Sequence, residues 1–332
     1  MRSSILVFAT LSCSAVFLWY DGVRAHETFK QFESRHYPVV TGMVTHSEIK
    51  IHRGSKGRKS YEAVIYYRYE VGERAFTGAR LRYNPINADT AASARSIVAA
   101  HPDGATVQVF YNPENPQDSL LSPGVDGWDC MMVLIMTPFN MLMLGLWIWM
   151  GGWLRERLVR PVAGGMKIIT DGMITRVRLP QYGAAWWGLG TTGGLGIISM
   201  IILGFTTKMP PPLGLALTVL AVIYLAGAGV YLWLWQKIRS GLDDLVIDEA
   251  ARTLDLPQTF GREQRVTAGI ADIESLTVEK IEHRDGRGDI SYTYAPTVRL
   301  RGTGLEGQKL ADWSDEEKAG DFAEWLRKQL GL

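Results

Sequence analysis

Three long stretches, Met131–Met150, Ala184–Phe205 and Gly214–Trp235, contain no Asp, Glu, Lys, Arg or His, and each is long enough to cross a bilayer as a helix. A segment in lipid has no water to satisfy its backbone, so a helix is its local solution. The composition therefore predicts an integral membrane protein with spans at 130–151, 184–206 and 213–236. It also withholds chemistry, because a span without an ionisable group offers no proton relay, ion path or intramembrane catalyst.

A fourth apolar run, Ile5–Tyr20, follows Arg2 and is shorter than the others. It reads either as a signal-anchor helix or as the core of a cleaved signal peptide, and both export the residues after it. Val23-Arg24-Ala25 offers small residues to a signal peptidase, whereas Leu18-Trp19-Tyr20 ends the run with aromatic anchors. The second feature favours a retained anchor over 1–20. Arg155, Arg157, Arg160, Lys167, Arg176 and Arg178 follow the 130–151 span and Lys237 and Arg239 the 213–236 span, while the 206–213 loop holds only Lys208. Positive loops stay in the cytoplasm. The expected order is N-terminus in, 21–129 out, 151–183 in, 206–213 out and 237–332 in, with both termini cytoplasmic in an inner (plasma) membrane. Trp147, Trp149, Trp153, Trp186, Trp187, Trp233 and Trp235 then fall at the cytoplasmic headgroup level, where an indole is favoured.

A formal net charge of +1 over 332 residues argues against nucleic-acid binding, which needs a basic face to neutralise phosphates. The basic clusters read as topology determinants in preference to lipid-headgroup sites. The two cysteines, Cys13 and Cys130, sit in or beside spans, which excludes a disulfide framework in the exported part.

Between Tyr37 and Leu121 the apolar pattern alternates, as in Ala63-Val64-Ile65-Tyr66-Tyr67-Arg68-Tyr69, which is strand periodicity enriched in Tyr and Val. Val71-Gly72-Glu73-Arg74 reads as a turn, Thr90–Ala100 as a helix on the sheet, and His101-Pro102-Asp103-Gly104 as its stop. The succession Tyr37-Pro38, Gly42-Met43-Val44 with Ser47, Tyr67-Arg68-Tyr69-Glu70-Val71-Gly72, Pro102-Asp103-Gly104, then Tyr111-Asn112-Pro113-Glu114-Asn115-Pro116 resembles the bacterial domain-of-unknown-function family 3592. The resemblance covers about a quarter of the chain. It implies a small β-rich module held between membrane helices outside the cytoplasm, and it implies no catalytic or ligand-binding residue.

Strand signals return after Ser240, at Leu245-Val246-Ile247, Thr253–Leu256, Gln264–Ala268, Ile273–Ile281, Ile290–Leu300 and Gln308–Ala311. Ser314 with Glu317 forms a capping-box pattern ahead of a helix that presents Phe322, Trp325, Leu326 and Leu330 on one face. This order resembles bacterial pleckstrin-homology-like domains attached to membrane helices, which implies lipid-proximal binding or assembly. Upstream, Lys167–Arg176 carries two apolar arms around Asp171-Gly172, a hairpin signal; this hairpin is expected to pack on or extend the C-terminal domain.

Gly188-Leu189-Gly190-Thr191-Thr192-Gly193 satisfies a dinucleotide fingerprint as a string, but it lies inside an apolar span with no preceding strand. Gly190 and Gly194, four residues apart, read as helix-packing positions instead. His283-Arg284-Asp285 lacks every other kinase element, and Arg284–Asp289 reads as a polar hairpin turn. Five of the six histidines, His26, His36, His46, His52 and His101, fall in 21–129 without metal-ligand spacing. Pro138 and Asn140 read as a kink and an interhelical hydrogen bond, serving packing in preference to a substrate. No Gly-x-Ser-x-Gly elbow, His-Glu-x-x-His helix or Cys-x-x-Cys pair occurs.

The expected fold class is a multi-pass α-helical membrane protein with two small β-rich (α+β) soluble domains. One is an exported antiparallel β domain with one helix at 21–129. The other is a pleckstrin-homology-like β-sheet or barrel plus C-terminal helix at 237–332, preceded by a basic hairpin-bearing loop at 152–183. No catalytic, cofactor-binding or metal residue is assigned, and no cofactor. The function expected is non-enzymatic binding, assembly or signalling at the envelope, with an accessory subunit of a transporter or channel, and a hydrolase with an unrecognised site, as alternatives. Expected partners are the bilayer and either a membrane protein or a second copy, with no nucleic acid.

Overall fold

The computed structural model describes residues 2–53, 59–84, 91–158, 163–179, 183–207, 210–259, 262–284, 286, 290–301 and 307–332. Arg160, Lys208 and most of the Arg284–Asp289 turn lie outside them. The chain divides into two compact units, 1–143 with 192–224 and 144–191 with 225–332, each described by itself.

The first unit opens with helix α1 (Arg2–Glu33). The helix runs thirteen residues past the anchor bound expected at 20, because nothing between Asp21 and Glu33 breaks a helix apart from the tolerated Gly22. A five-stranded antiparallel sheet comes next. It is built from β1 (Val39–Arg53), β2 (Lys59–Val71), β3 (Arg74–Gly78), β4 (Thr106–Asn112) and β5 (Asn115–Leu120) in the order β3-β2-β1-β4-β5, with helix α2 (Ala91–Ala100) against β2 and β1. The alternation in β2 sends Ile65, Tyr67 and Tyr69 to one buried face. Tyr67 and Tyr69 pack with Val109 of β4, and Phe76 stacks on Tyr69 at 5.7 Å. Two glycines make room for these rings. A Cβ at Gly78 would sit 2.5 Å from the Tyr67 ring, and one at Gly42 2.7 Å from Val109 Cγ2.

Helix α3 (Gly127–Leu158) leaves this module, and α4 (Ala184–Thr206) and α5 (Leu213–Ser240) come after it. Among the described residues these three are the helices long and apolar enough to cross a membrane; α1, expected as a fourth, is not one of them. Within the first unit, Met131, Leu134, Leu203 and Ile223 form a buried cluster, and Phe17 of α1 stacks on Phe139 of α3 at 5.9 Å. Gly193 and Gly196 lie against Met141, Thr137 and Pro138 of α3. In the second unit Gly188 meets Gly227 and Tyr231, and Gly145 meets Trp186. Around Gly190 and Gly194, expected as helix-packing positions, a Cβ would meet nothing within 4 Å among the described residues. Their neighbours on the helix, turned by about 100° per residue, face the adjacent spans instead.

The second unit holds β6 (Lys167–Asp171) and β7 (Ile174–Arg178), then β8 (Asp244–Asp248), β9 (Thr253–Leu256) and β10 (Val266–Gly269), in one antiparallel sheet ordered β10-β9-β8-β7-β6. The Asp171-Gly172 hairpin forms, and β7 pairs with β8 from Ile174↔Asp248 to Arg178↔Asp244. The pair α4–α5 is therefore inserted into a strand meander, and the 152–183 segment contributes two of its strands. A second sheet, β11 (Ile273–Arg284), β12 (Ile290–Leu300) and β13 (Gln308–Lys309), completes the module, so the strands divide between two sheets. Helix α6 (Glu316–Leu330) buries Phe322, Leu326 and Leu330, with Trp325 partly covered. Gly164, at φ +66°, lies so close to Lys318 of α6 that a Cβ there would clash with its carbonyl oxygen. The cap of α6 is Asp315, not Ser314: its carboxylate accepts from Glu317 N at 3.0 Å.

Candidate functional site

No His, Cys, Asp and Glu grouping suited to a metal occurs among the described residues. His46 pairs with Asp103, His52 with Glu62, and His101 bonds the Ile97 carbonyl at the end of α2; these histidines brace the surface of the β1–β5 module. The Tyr-Asn-Pro-x-x-Pro element is also structural. Asn112 Oδ1 accepts from Glu114 N at 3.0 Å, an Asx turn, and the Pro116 carbonyl accepts from the Tyr69 hydroxyl. Tyr67 gives its hydroxyl to the Arg80 carbonyl and meets Ser119 Oγ, both at 3.1 Å. Burial pushes its phenol up to about 12, and raises Tyr83 as well.

The chemistry concentrates where the β1–β5 module meets α1 and α3. Asp126 caps α3 by accepting from Trp128 N at 2.8 Å, and Asp129, three residues on, reaches back to accept from Asp126 N at 3.0 Å. This reciprocal cap satisfies two orphan donors and places two carboxylates at the positive end of the helix dipole. Arg82, from the segment after β3, pairs with both, reaching Asp129 Oδ2 at 2.5 Å. The Arg82 and Asp129 side chains are each only 2 % exposed, so this pair is desolvated and its partners must be matched. Gln31 of α1 clamps the same segment: it donates to the Ser122 and Gly124 carbonyls at 2.8 and 2.7 Å and accepts from Tyr83 N at 2.8 Å. Asn84 donates to Thr28 Oγ1 at 3.0 Å and Asp129 Oδ1 at 2.6 Å.

Beside this node lies a cavity of about 570 Å³, within the roughly 300–1,000 Å³ of ordinary ligand pockets. Its wall is mostly apolar, with Phe29 and Phe32 of α1 and Met132, Val133 and Met136 of α3; Asp21, Arg24, Asn84, Asp129 and Asn140 supply polar groups. Asn140, expected to serve helix packing, thus lines the cavity. A mostly apolar wall with a few polar groups is the ordinary lining of a ligand pocket.

Sequence reasoning singled out none of Gln31, Arg82, Asn84 and Asp129. The one local signal was Asp126-Gly-Trp-Asp129 ahead of an apolar run, a capping-box variant. Gly190 and Gly194 are not at the cavity.

Three helices among the described residues have the length and apolar composition to cross a membrane, which is compatible with a membrane protein. Residues 40–126 match the model of a family described as a domain of unknown function, DUF3592, which covers the β1–β5 module and the segment bearing Arg82, Asn84 and Asp126. No curated protein and no solved structure matches the chain.

Proposed function

We propose that this is a non-enzymatic binding protein of a bacterial inner membrane, whose cavity between α1, α3 and α5 takes a ligand under the control of the DUF3592 module. The observation that carries the reading is that Asn84, from that module, lines together with Asp129 of α3 a cavity whose wall is otherwise supplied mostly by α1 and α3. Binding there is coupled to the module's own fold, because the same residues hold α1 and α3 to the sheet. The basic residues of 155–178 and 237–239 support an orientation with 21–129 exported and both termini cytoplasmic. The second unit, with its C-terminal helix packed on antiparallel strands, is read as a pleckstrin-homology-like module fused to the α4–α5 pair.

Purified full-length protein in detergent, melted with and without total lipid extract, tests this. Stabilisation by several degrees that disappears when Met136→Trp fills the cavity is the expected result; no stabilisation in the unsubstituted protein defeats it. Cysteines placed singly at Glu114 and Lys328 should react with an impermeant maleimide before and only after permeabilisation, respectively.

A second reading rests on the empty space around Gly190 and Gly194. With exposed Ile197, Ile198 and Ile201 nearby on α4, this face suits the spans of a transporter or channel subunit. Copurification of such a subunit, lost in Gly194→Leu, would favour it.

A further inference from the structure

The cavity beside the Arg82 node is a slot, long in one direction. Its lining residues recur every three or four positions from Tyr20 to Phe32 on α1 and from Asp129 to Asn140 on α3, which is one face of each helix. The two helices run antiparallel, since Phe17 stacks on Phe139 while Asn84 joins Thr28 to Asp129. By the α-helical rise the shared face is roughly 16–18 Å long. Phe29, Phe32 and Val133 line the slot and are 59, 43 and 46 % exposed, so it opens sideways to whatever surrounds the helices.

Its depth says what that is. Met132, Val133, Met136 and Asn140 belong to the span Gly127–Arg155 and Tyr224 to the span Leu213–Ser240, whereas the other end meets Asn84 and Val125 at the β1–β5 module. The slot therefore starts at the module and descends about three turns along α3 into the part of the chain suited to hydrocarbon. Its polar groups leave no charge for a guest to neutralise. Asp129 is matched by Arg82 and Asn84, and Asp21 and Arg24, one turn apart on α1, cancel each other. Asn140 and Tyr224, the latter 3.1 Å from Thr137 Oγ1, put polar groups at the inner end. Between the ends the surface is Phe29, Met132, Val133 and Met136. An apolar cavity stays dry and takes apolar guests.

We propose that the slot seats one acyl chain of a phospholipid from the leaflet on the side of the β1–β5 module, entering sideways between α1 and α3 and recognised by its hydrocarbon in place of its headgroup. The proposal rests on the binding reading above and names its ligand. An extended chain runs along the spans as lipid tails do and touches the wall over its whole length; a compact ring compound would leave the ends of the slot without contacts.

The test is native mass spectrometry of the full-length protein in mild detergent with equimolar phosphatidylethanolamine and phosphatidylglycerol of identical chains. One retained phospholipid per protein is expected, with little preference between the headgroups. Its amount should fall at least tenfold in Met136→Trp and in Ala25→Phe, which plug the slot from opposite walls, and should not change in Ile201→Trp, an exposed position of α4. Should one plug fail to fold, the other decides. Adducts that survive the plugs overturn the proposal, and so does a tenfold preference for one headgroup, which would move recognition to the polar end. If no phospholipid is retained while total lipid extract still stabilises the protein and Met136→Trp abolishes that gain, the cavity reading stands and its ligand is not a phospholipid. If neither binding is seen, both readings fall.

Discussion

The two β-modules of this chain bury different things. Around β8–β13, the core is a continuous set of aliphatic and aromatic side chains, from Val177 and Leu245 through Leu254 to Trp313, Phe322 and Leu330. Around β1–β5 it is small and tyrosine-rich, and its margin toward α1 and α3 buries Arg82, Asp129, Asn84 and Gln31. Hydrophobic burial is non-directional and tolerates repacking, whereas a buried polar cluster stands only while every partner is in place. The C-terminal module is thus built for stability. At the helix junction of the other module a matched polar cluster holds α1 and α3 to the sheet in a defined geometry.

The strongest challenge to this contrast comes from its apolar end. Phe322→Ala should destabilise the C-terminal module by about 3–5 kcal/mol and expose its strands to protease, with β1–β5 fragments unaffected. At the polar end, Arg82→Met strands two carboxylates beside each other and should cost about 3–5 kcal/mol, read as loss of protease resistance in 40–126. A partial recovery in Arg82→Met with Asp129→Asn would show that the stranded charge is the cause; no recovery would place the loss in packing.

Tyr67 gives the tyrosine-rich core a pH signature that the aliphatic one lacks. Its phenol is held up to about 12, chiefly by burial, against an ordinary value of 10. The neutral form is the one the fold favours, so the stabilisation is complete below pH 10 and is lost as pH rises through 12, roughly 3 kcal/mol in all. The melting transition of the β1–β5 module should fall across that window, and Tyr67→Phe should remove part of the fall, Tyr69 and Tyr83, also raised by burial, supplying the rest; a fall of unchanged size would assign it to other groups. The smallest effect concerns the α6 cap. Asp315→Ala should cost about 1 kcal/mol and Ser314→Ala almost nothing, and equal losses in thermal melts would put the cap back at Ser314.

Much of the local structure was legible in the sequence because it depends on neighbours. The Val-Tyr alternation of β2, the Asp171-Gly172 hairpin and the Asn112–Pro116 turn each depend on a few adjacent residues. The misleading signal was also local. Ser314 fits a cap as well as Asp315 does.

Periodicity and composition act over a few turns or strands, and they suffice to show that three segments suit a bilayer, that strands flank them, and that 40–126 falls in a recognisable family. The 167–176 hairpin was expected at the C-terminal domain, and long-range folding was needed to choose its edge, β7 on β8, and to select Gly188, Gly193 and Gly196 for the helix contacts. It was needed again to make Gln31, Arg82, Asn84 and Asp129 converge beside one cavity. The meetings at that cavity join residues about fifty positions apart, and closure of a long loop is repaid only by contacts that no local pattern encodes.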